Sequence, residues 1–301
     1  MTGEGGFHMS GAGRLRGLLQ GEAMVVAPGA YDGLTARLIA QAGFPAVYMT
    51  GAGTSVAYGY PDFGLLTMSE MVANAARIVR SVDVPVIADA DTGYGNELNV
   101  FRTVQEYERR GVAAIHIEDQ VSPKKCGHLD DKEIVSCDEY LAKVRAAVAA
   151  RHDADFVVIA RTDARAVAGL DEAVARANAA LAAGADMAFV EAPQTMDEIA
   201  AVPKRVAGPC LLNVVRGGKT PEVDLRHAWQ MGYRLAIVPG MLLKAVIGAC
   251  DEVLAELKSC HVHPVLRSNM TVRDVFNRVG AGEWDELRTR FRNTVNCHAA
   301  E

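Results

Sequence analysis

The residues able to do chemistry gather in a few short segments of this 301-residue chain. Asp89 and Asp91 stand two apart in Asp89-Ala90-Asp91-Thr92-Gly93-Tyr94-Gly95. Two carboxylates at that spacing can converge on one hard cation or on its waters, and Glu118 could add a third oxygen ligand. Oxygen-only ligation with retained water favours Mg2+ or Mn2+ over zinc; otherwise one or both carboxylates merely cap the following turn. Arg161 offers a planar fork of donors suited to a substrate carboxylate, or it pairs with Asp89, Asp91, Glu118 or Glu191. Asn213 could donate an amide hydrogen bond to the far end of a diacid, or cap a turn. His116 reads equally as a structural or a catalytic histidine.

A second group lies in Pro123-Lys124-Lys125-Cys126-Gly127-His128. A thiol between two lysines and a histidine is expected to have a lowered pKa, and cationic neighbours draw an anionic substrate. On a long loop this segment could close over a site; it could equally be a solvated basic turn with an incidental cysteine. The small residues of Tyr48-Met49-Thr50-Gly51-Ala52-Gly53-Thr54 could present closely spaced N–H groups as a nest for a carboxylate. Asp62, farther along, is expected to pair with Lys124 or to orient metal-bound water.

These residues need a scaffold that brings them together, and the chain repeats one rhythm. Short β-branched or apolar runs occur at 24–27, 46–49, 84–88, 113–117, 156–160, 187–190, 210–213 and 235–238. Each is too short for a globular helix and each precedes an amphipathic segment, which predicts buried parallel strands. Helices are expected at 33–42, 68–81, 100–110, 137–150, 171–183, 196–206, 225–231 and 242–257. Ser136 with Glu139 predicts a capping box, and Gly43, Gly111 and Gly184 predict left-handed helix ends.

Eight βα units in this length predict a (β/α)8 TIM barrel over 14–257, a closed form without sheet edges. The alternative, a doubly wound open sheet, lacks its glycine fingerprint after the first run, where the chain reads PGAYDG. The first thirteen residues, with five glycines, read as a flexible leader, 1–13. Residues 258–301 read as a helical extension with pieces at 272–279 and 284–295, anchored by Phe276, Trp284, Leu287 and Phe291. Those pieces pack either on their own barrel or on another subunit. Barrel active sites lie at the carboxyl ends of the strands. There this sequence places Asp89, Asp91, His116, Glu118, Arg161, Asp163, Glu191 and Asn213.

A hydrophobic fraction of 50% and a charged fraction of 23% describe a globular protein with a sizeable core. Net charge is −6 with the signs mixed and no basic stripe, so nucleic acid is not an expected partner. No run approaches the roughly 18 apolar residues of a membrane span, and no membrane association is expected. Six scattered cysteines, at 126, 137, 210, 250, 260 and 297, form no CxxC pair and suit a reducing, cytoplasmic compartment.

In the order and spacing of 48–53, 89–95 (DADTGYG), 116–120 (HIEDQ), 124–128 (KKCGH), 161–164 (RTDA) and 217–221 (GGKTP), the chain resembles the isocitrate lyase and phosphoenolpyruvate mutase superfamily over about 14–255. The resemblance implies Mg2+ near Asp89, Asp91 and Glu118. It implies a 2-oxo carboxylate held by the backbone after Tyr48, at Thr50, Gly51 and Ala52, and by Arg161. It also implies a homotetramer in which C-terminal helices are exchanged between subunits. Cys126, Tyr48, Lys124, His128 and Glu118 are the expected catalytic residues, and Asp62, Glu191, Asn213 and Arg216 are expected to join substrate binding.

KKCGH is similar to the carbon–carbon lyase branch, where the equivalent of Cys126 protonates the departing carbanion; carboxyphosphonoenolpyruvate mutases carry a similar KRCGH. The pattern is closer to members processing methylisocitrate, 2,3-dimethylmalate and oxaloacetate than to the longer isocitrate lyases. Many relatives read NMVEGGKTP where this chain reads Asn213-Val214-Val215-Arg216-Gly217-Gly218-Lys219-Thr220-Pro221. Arg216 therefore replaces a carboxylate, which matters if it faces the pocket. The implied reaction is a Mg2+-assisted retro-aldol cleavage of a 2-hydroxy di- or tricarboxylate to a 2-oxo acid such as pyruvate. Tyr48 or a carboxylate-held water removes the hydroxyl proton, and Cys126 protonates the second fragment. The alternatives are a phosphonomutase, an oxaloacetate-type decarboxylase or hydrolase, and a non-catalytic binding protein.

Overall fold

A computed structural model describes residues 9–266 and 268–293. Its strands are β1 (Val25–Ala30), β2 (Val47–Met49), β3 (Val86–Asp89), β4 (Ala114–Glu118), β5 (Val157–Thr162), β6 (Met187–Val190), β7 (Cys210–Asn213) and β8 (Leu235–Val238). They close in chain order into one parallel barrel, with β8 beside β1. The expected barrel forms, and the boundaries move most at β1, which continues to Ala30.

The helices are α1 (Gly11–Gln20), α2 (Gly33–Gln41), α3 (Gly51–Ala57), α4 (Met68–Val79), α5 (Glu97–Arg109), α6 (Cys137–Ala150), α7 (Ala164–Ala168), α8 (Leu170–Ala182), α9 (Met196–Arg205), α10 (Leu225–Met231), α11 (Met241–Cys260), α12 (Val272–Asn277) and α13 (Ala281–Asn293). Gly43, Gly111 and Gly184 take φ of 84°, 81° and 103°, the left-handed ends that a Cβ would strain. At α6 only half of the expected capping box forms. Ser136 Oγ accepts from the Glu139 N–H at 3.2 Å, whereas the Glu139 carboxylate lies 3.7 Å from Lys143 Nζ.

Of the leader expected over 1–13, residues 1–8 lie outside the described residues, and Gly11–Gly13 begin α1. Ser10 starts that helix by accepting from the Gly13 N–H. Residues 294 and 295 of the last expected helix also lie outside. The chain divides into two compact units, 1–245 and 246–301. In the second unit Phe276 and Trp284 are 55% and 69% exposed.

The strands explain how the barrel positions chemistry. Alternate residues of a strand share a face, and one face reads Ile87-x-Asp89, Ala114-x-His116-x-Glu118, Val157-x-Ile159-x-Arg161, Met187-x-Phe189-x-Glu191 and Leu211-x-Asn213. Ile87, Ala114, Ile159, Met187, Phe189 and Leu211 pack together in one buried cluster with Leu235 and Ile237. The same face thus changes from apolar to ionisable at the carboxyl end. Parallel register then aligns the polar positions, pairing Asp89 with His116 and Glu118 with Arg161 across adjacent strands.

Candidate active site

Asp89 ends β3 with both carboxylate oxygens engaged. Oδ1 accepts from the Asp91 N–H at 3.0 Å; Oδ2 accepts from the Gly51 N–H at 3.2 Å and the Tyr48 hydroxyl at 3.3 Å. Burial alone would raise its pKa, but His116, Lys124, Arg161 and the Asp91 N–H outweigh it and lower the carboxyl to about 2. Gly51 must lack a side chain, because a Cβ there would collide with Asp89 Oδ2. Asp91 sits in the left-handed region at φ 45°, a conformation costly for a residue with a Cβ. Burial first, and then Asp89 and Asp62, push its carboxyl up to about 6 against the pull of Lys124.

Glu118, fully buried at the end of β4, is likewise raised, chiefly by burial. Its Oε2 has an ion-pair contact of 2.8 Å with Arg161 Nη1, but among the described residues neither oxygen accepts a directed hydrogen bond. Tyr48 lies 2.8 Å from His116 Nε2. Burial and then Asp89 raise the phenol well above its ordinary range. A Tyr48 phenolate base, one of the two proton acceptors expected, is therefore disfavoured, and the phenol acts as a donor. His116 is lowered to about 4 by burial and is neutral at pH 7.

Arg161 is the hub of the site. Nε and Nη2 reach Asp163 at 3.0 and 3.2 Å, Nη1 lies beside Glu118, and the guanidinium covers the Phe189 ring at 5.3 Å. Pairing with acids, one of the two roles open from sequence, is thus present. Across the barrel end, the Asn213 amide donates to both oxygens of Glu191, at 3.3 and 3.2 Å.

The loop after β4 completes the site, with one correction. Lys124 Nζ lies 2.5 Å from Asp62 Oδ1 and 3.0 Å from Asp91 Oδ1, as the first reading of Asp62 expected. Lys125 is held through its backbone by Gln120, and its ammonium donates to the Asp131 carbonyl. The Cys126 thiol is raised, not lowered: burial and then Asp62 exceed the lowering by the His128 N–H and Lys124. Neighbours in sequence are not neighbours in charge, because the lysines serve other partners. Burial lowers His128, whose Nδ1 accepts from the Lys219 N–H at 3.1 Å and whose Nε2 lies 3.1 Å from Glu191 Oε1.

Tyr48, Thr50, Ala52, Asp62, Asp89, Lys124, Cys126, His128, Arg161, Glu191 and Asn213 line one cavity of about 190 Å3. A larger cavity, about 740 Å3, is lined by Met9, Leu18, Met24, Val84 and Pro85 among others. It contains none of the strand-end acids and bases, so chemistry belongs to the smaller one. A family description, phosphoenolpyruvate phosphomutase, matches residues 15–258. The chain belongs to this family, within the phosphoenolpyruvate mutase and isocitrate lyase superfamily.

It is 46% identical over 270 residues to 2,3-dimethylmalate lyase of Eubacterium barkeri, covering 89% of this chain and 93% of that one. It is 45% identical over 287 residues to 2-methylisocitrate lyase of Aeropyrum pernix, covering 95% and 88%. Among solved structures, oxaloacetate acetylhydrolase in complex with the inhibitor 3,3-difluorooxalacetate superposes with a TM-score of 0.90 at 40% identity, covering 93% and 97%. The protein is therefore an enzyme of lyase type, from a superfamily whose lyases, mutases and hydrolases act on small carboxylates.

Members of this phosphomutase family are typically Mg2+-dependent, and the acids here fit such an ion. Glu118 Oε1 is buried without a donor, Asp91 Oδ1 and Glu118 Oε2 have ion-pair contacts with Lys124 and Arg161, and both carboxyls are held above their ordinary range by burial. A nearby dication would relieve both conditions. Among the described residues no three His, Cys, Asp or Glu side chains converge as a complete ligand set. The fit is therefore to a hard cation that keeps water between itself and part of the cluster.

Arg216, which the sequence reading placed in substrate binding, is not in the cavity lining. The Arg216 side chain is 87% exposed and pairs with Glu222 at 2.9 Å, while its neighbour Val215 lines the pocket. Sequence reasoning also missed Pro239, Gly240, Leu243 and Lys244, which close the wall after β8. The strand-end rule pointed there, but none of the first three is ionisable. Buried Lys132 and Asp119 were missed as well.

Proposed function

We propose that this protein is a Mg2+-dependent carbon–carbon lyase that cleaves a small 2-hydroxy di- or tricarboxylate, of the 2-alkylmalate or methylisocitrate type. The products are a 2-oxo acid such as pyruvate and a second carboxylate. The observation that carries the reading is a half-buried thiol, Cys126, with a raised pKa on the wall of the cavity that also holds Asp89, Arg161 and Asn213. A lyase of this kind needs a proton donor for the carbanion it creates.

Asp89, Asp91 and Glu118 would hold Mg2+ (or Mn2+), which supplies Lewis-acid stabilisation of the developing 2-oxo group. The N–H of Ala52, at the start of α3, receives the carboxylate of the 2-oxo portion while that of Gly51 stays on Asp89, with Arg161 adding positive charge. Thr50 shapes that turn by accepting from the Gly53 N–H at 3.2 Å. A water held by the carboxylates of this cluster, Glu118 among them, would take the substrate hydroxyl proton. Tyr48, a phenol, donates toward charge on the same oxygen. Asn213, Glu191 and His128 orient the far end, and Asp62 holds Lys124 at the cluster. Cys126 gives its proton to the departing carbon, and the loop excludes water meanwhile.

Similarity to oxaloacetate acetylhydrolase supports a second reading, hydrolytic cleavage of a 2-oxo diacid. Incubating the enzyme with Mg2+ and 2,3-dimethylmalate, 2-methylisocitrate or oxaloacetate separates the two. Release of a 2-oxo acid from neither hydroxy acid would end the lyase reading.

The quaternary and cellular parts of the proposal rest on other observations. Exposed Val272, Phe276 and Trp284 would be covered if C-terminal helices are exchanged in a homotetramer. Free cysteines at 126, 137, 210, 250 and 260 suit the cytoplasm. Among the described residues no helix is long and apolar enough to cross a membrane.

A further inference from the structure

Lys132 is a buried cation that the chemistry above does not use. Its side chain is 1% exposed, and its ammonium donates to Asp163 Oδ1 at 2.7 Å and, in a short contact, to the Gly127 carbonyl. It therefore joins the peptide next to Cys126 to the end of β5.

Both ends of this bridge are well defined. Asp163 also binds Arg161 through both carboxylate oxygens. Its backbone N–H donates to Asp119 Oδ1 at 2.8 Å, and Asp119 is held in turn by Thr162 at 2.7 Å and Arg176 at 3.1 Å. A chain of hydrogen bonds and ion pairs thus runs from α8 through Asp119 and Asp163 to the loop. At the other end, Gly127 sits so close to the site that a Cβ would lie 2.5 Å from Arg161 Nη2 and 2.6 Å from Glu191 Cγ. The loop meets the site through bare backbone there, and the carbonyl of that residue is the one Lys132 holds. Lys124 and Lys125 cannot substitute, since they are engaged with Asp62, Asp91 and Asp131.

We propose that Lys132 is a positioning residue: by bridging the Gly127 carbonyl to Asp163 it keeps the loop 122–130 seated, places the Cys126 thiol on the cavity wall, and fixes Arg161 through the shared carboxylate. The inference rests on the reading of this cavity as the active site, but the alkylation measurement that tests it does not depend on the substrate.

The variant Lys132→Met keeps most of the buried stem and removes the ammonium. Because it also leaves Asp163 with one fewer cation, Lys132→Met/Asp163→Asn is made beside it, lowering the buried charge while leaving the bridge absent. In each full-length protein the rate of Cys126 alkylation by iodoacetamide is followed by peptide mass spectrometry, with the melting temperature measured in parallel. Loss of the bridge raises the alkylation rate at least about tenfold in folded protein, as local opening becomes easier. On a cleaved substrate, kcat falls on the order of a hundredfold with KM little changed, as expected for a misplaced proton donor. A purely structural lysine would lower the melting temperature without changing Cys126 reactivity. Wild-type alkylation in whichever variant is folded overturns the proposal. Absence of lyase turnover with accelerated alkylation instead rejects the proposed reaction and leaves the Lys132 bridge standing.

Discussion

Lys124 Nζ lies 3.0 Å from Asp91 Oδ1 and 2.5 Å from Asp62 Oδ1, so two carboxylates face its charge while the thiol two residues along the chain is left to burial. The consequence is a Cys126 pKa above the ordinary value, with burial the main cause and Asp62 next. The protonated form, which a proton donor needs, should persist as pH rises past about 8.5, where an unperturbed thiol ionises. It should be lost only as pH passes the raised value. The pH dependence of Cys126 alkylation, and the alkaline limb of kcat, should both lie above that point; a midpoint below it would restore the activated-thiolate view.

Replacing Cys126 by Ala removes the proton donor and leaves the acid cluster and Arg161 in place. Turnover of a 2-hydroxy acid should fall by about 10^2 to 10^4, the usual range for a positioned acid. Pyruvate binding, followed by calorimetry with Mg2+ present, should change little. Equal losses in both would assign Cys126 to binding.

The acid cluster makes metal binding depend on pH. A cation needs Asp91 as carboxylate, and its pKa is raised to about 6, so Mg2+ affinity should weaken as pH falls below that value. For the stability of the metal-free fold the sign is opposite. A raised carboxyl favours the fold below the unfolded pKa, near 3.9, and that contribution is lost as pH rises through about 6. Mg2+ should therefore raise the melting temperature more at pH 7.5 than at pH 5. Chelation should abolish turnover, and Mg2+ or Mn2+ should restore it; calorimetry in two buffers of different ionisation enthalpy reports the protons released near pH 6.

Arg161→Gln would leave Glu118, Asp163 and Glu191 without their shared cation. Removing one partner from a buried ion pair costs about 3–5 kcal/mol, so the melting temperature should drop clearly and 2-oxo acid binding should be lost. Arg161→Lys should rescue stability only partly, since a point charge cannot reproduce the fork that reaches Asp163 twice. Full rescue would mean that charge alone matters here.

Arg216→Glu reverses the charge that the sequence reading placed beside the pocket. Because the side chain is exposed and its partner Glu222 is exposed too, kcat/KM should stay within about threefold across substrates of different charge. A reordering of substrate preference would place Arg216 at the pocket during turnover.

The barrel and most of the cavity lining were legible because strands alternate faces. Ile159 and Arg161, or Phe189 and Glu191, share a face, so an ionisable residue at the end of an apolar run announces a site. The wall after β8 was not, since Pro239, Gly240 and Leu243 carry no such signal. Helix α3 was hidden by glycines at its start, which lower helix propensity but allow Gly51 to approach Asp89. Lys132 lies in an acid-rich stretch, Asp130-Asp131-Lys132-Glu133, that reads as a solvated turn. Only the fold shows that its ammonium reaches Asp163, thirty-one positions on. The Cys126 expectation failed for a similar reason, since spacing along a loop does not say which acid each lysine faces.

The most direct test is 2-oxo acid release from 2,3-dimethylmalate and 2-methylisocitrate, with Mg2+, by the wild-type enzyme and its Cys126→Ala variant side by side. The lyase account predicts pyruvate from at least one substrate with wild type, dependence on the metal, and near-complete loss in the variant. No 2-oxo acid from either substrate, or equal release by both proteins, would contradict it.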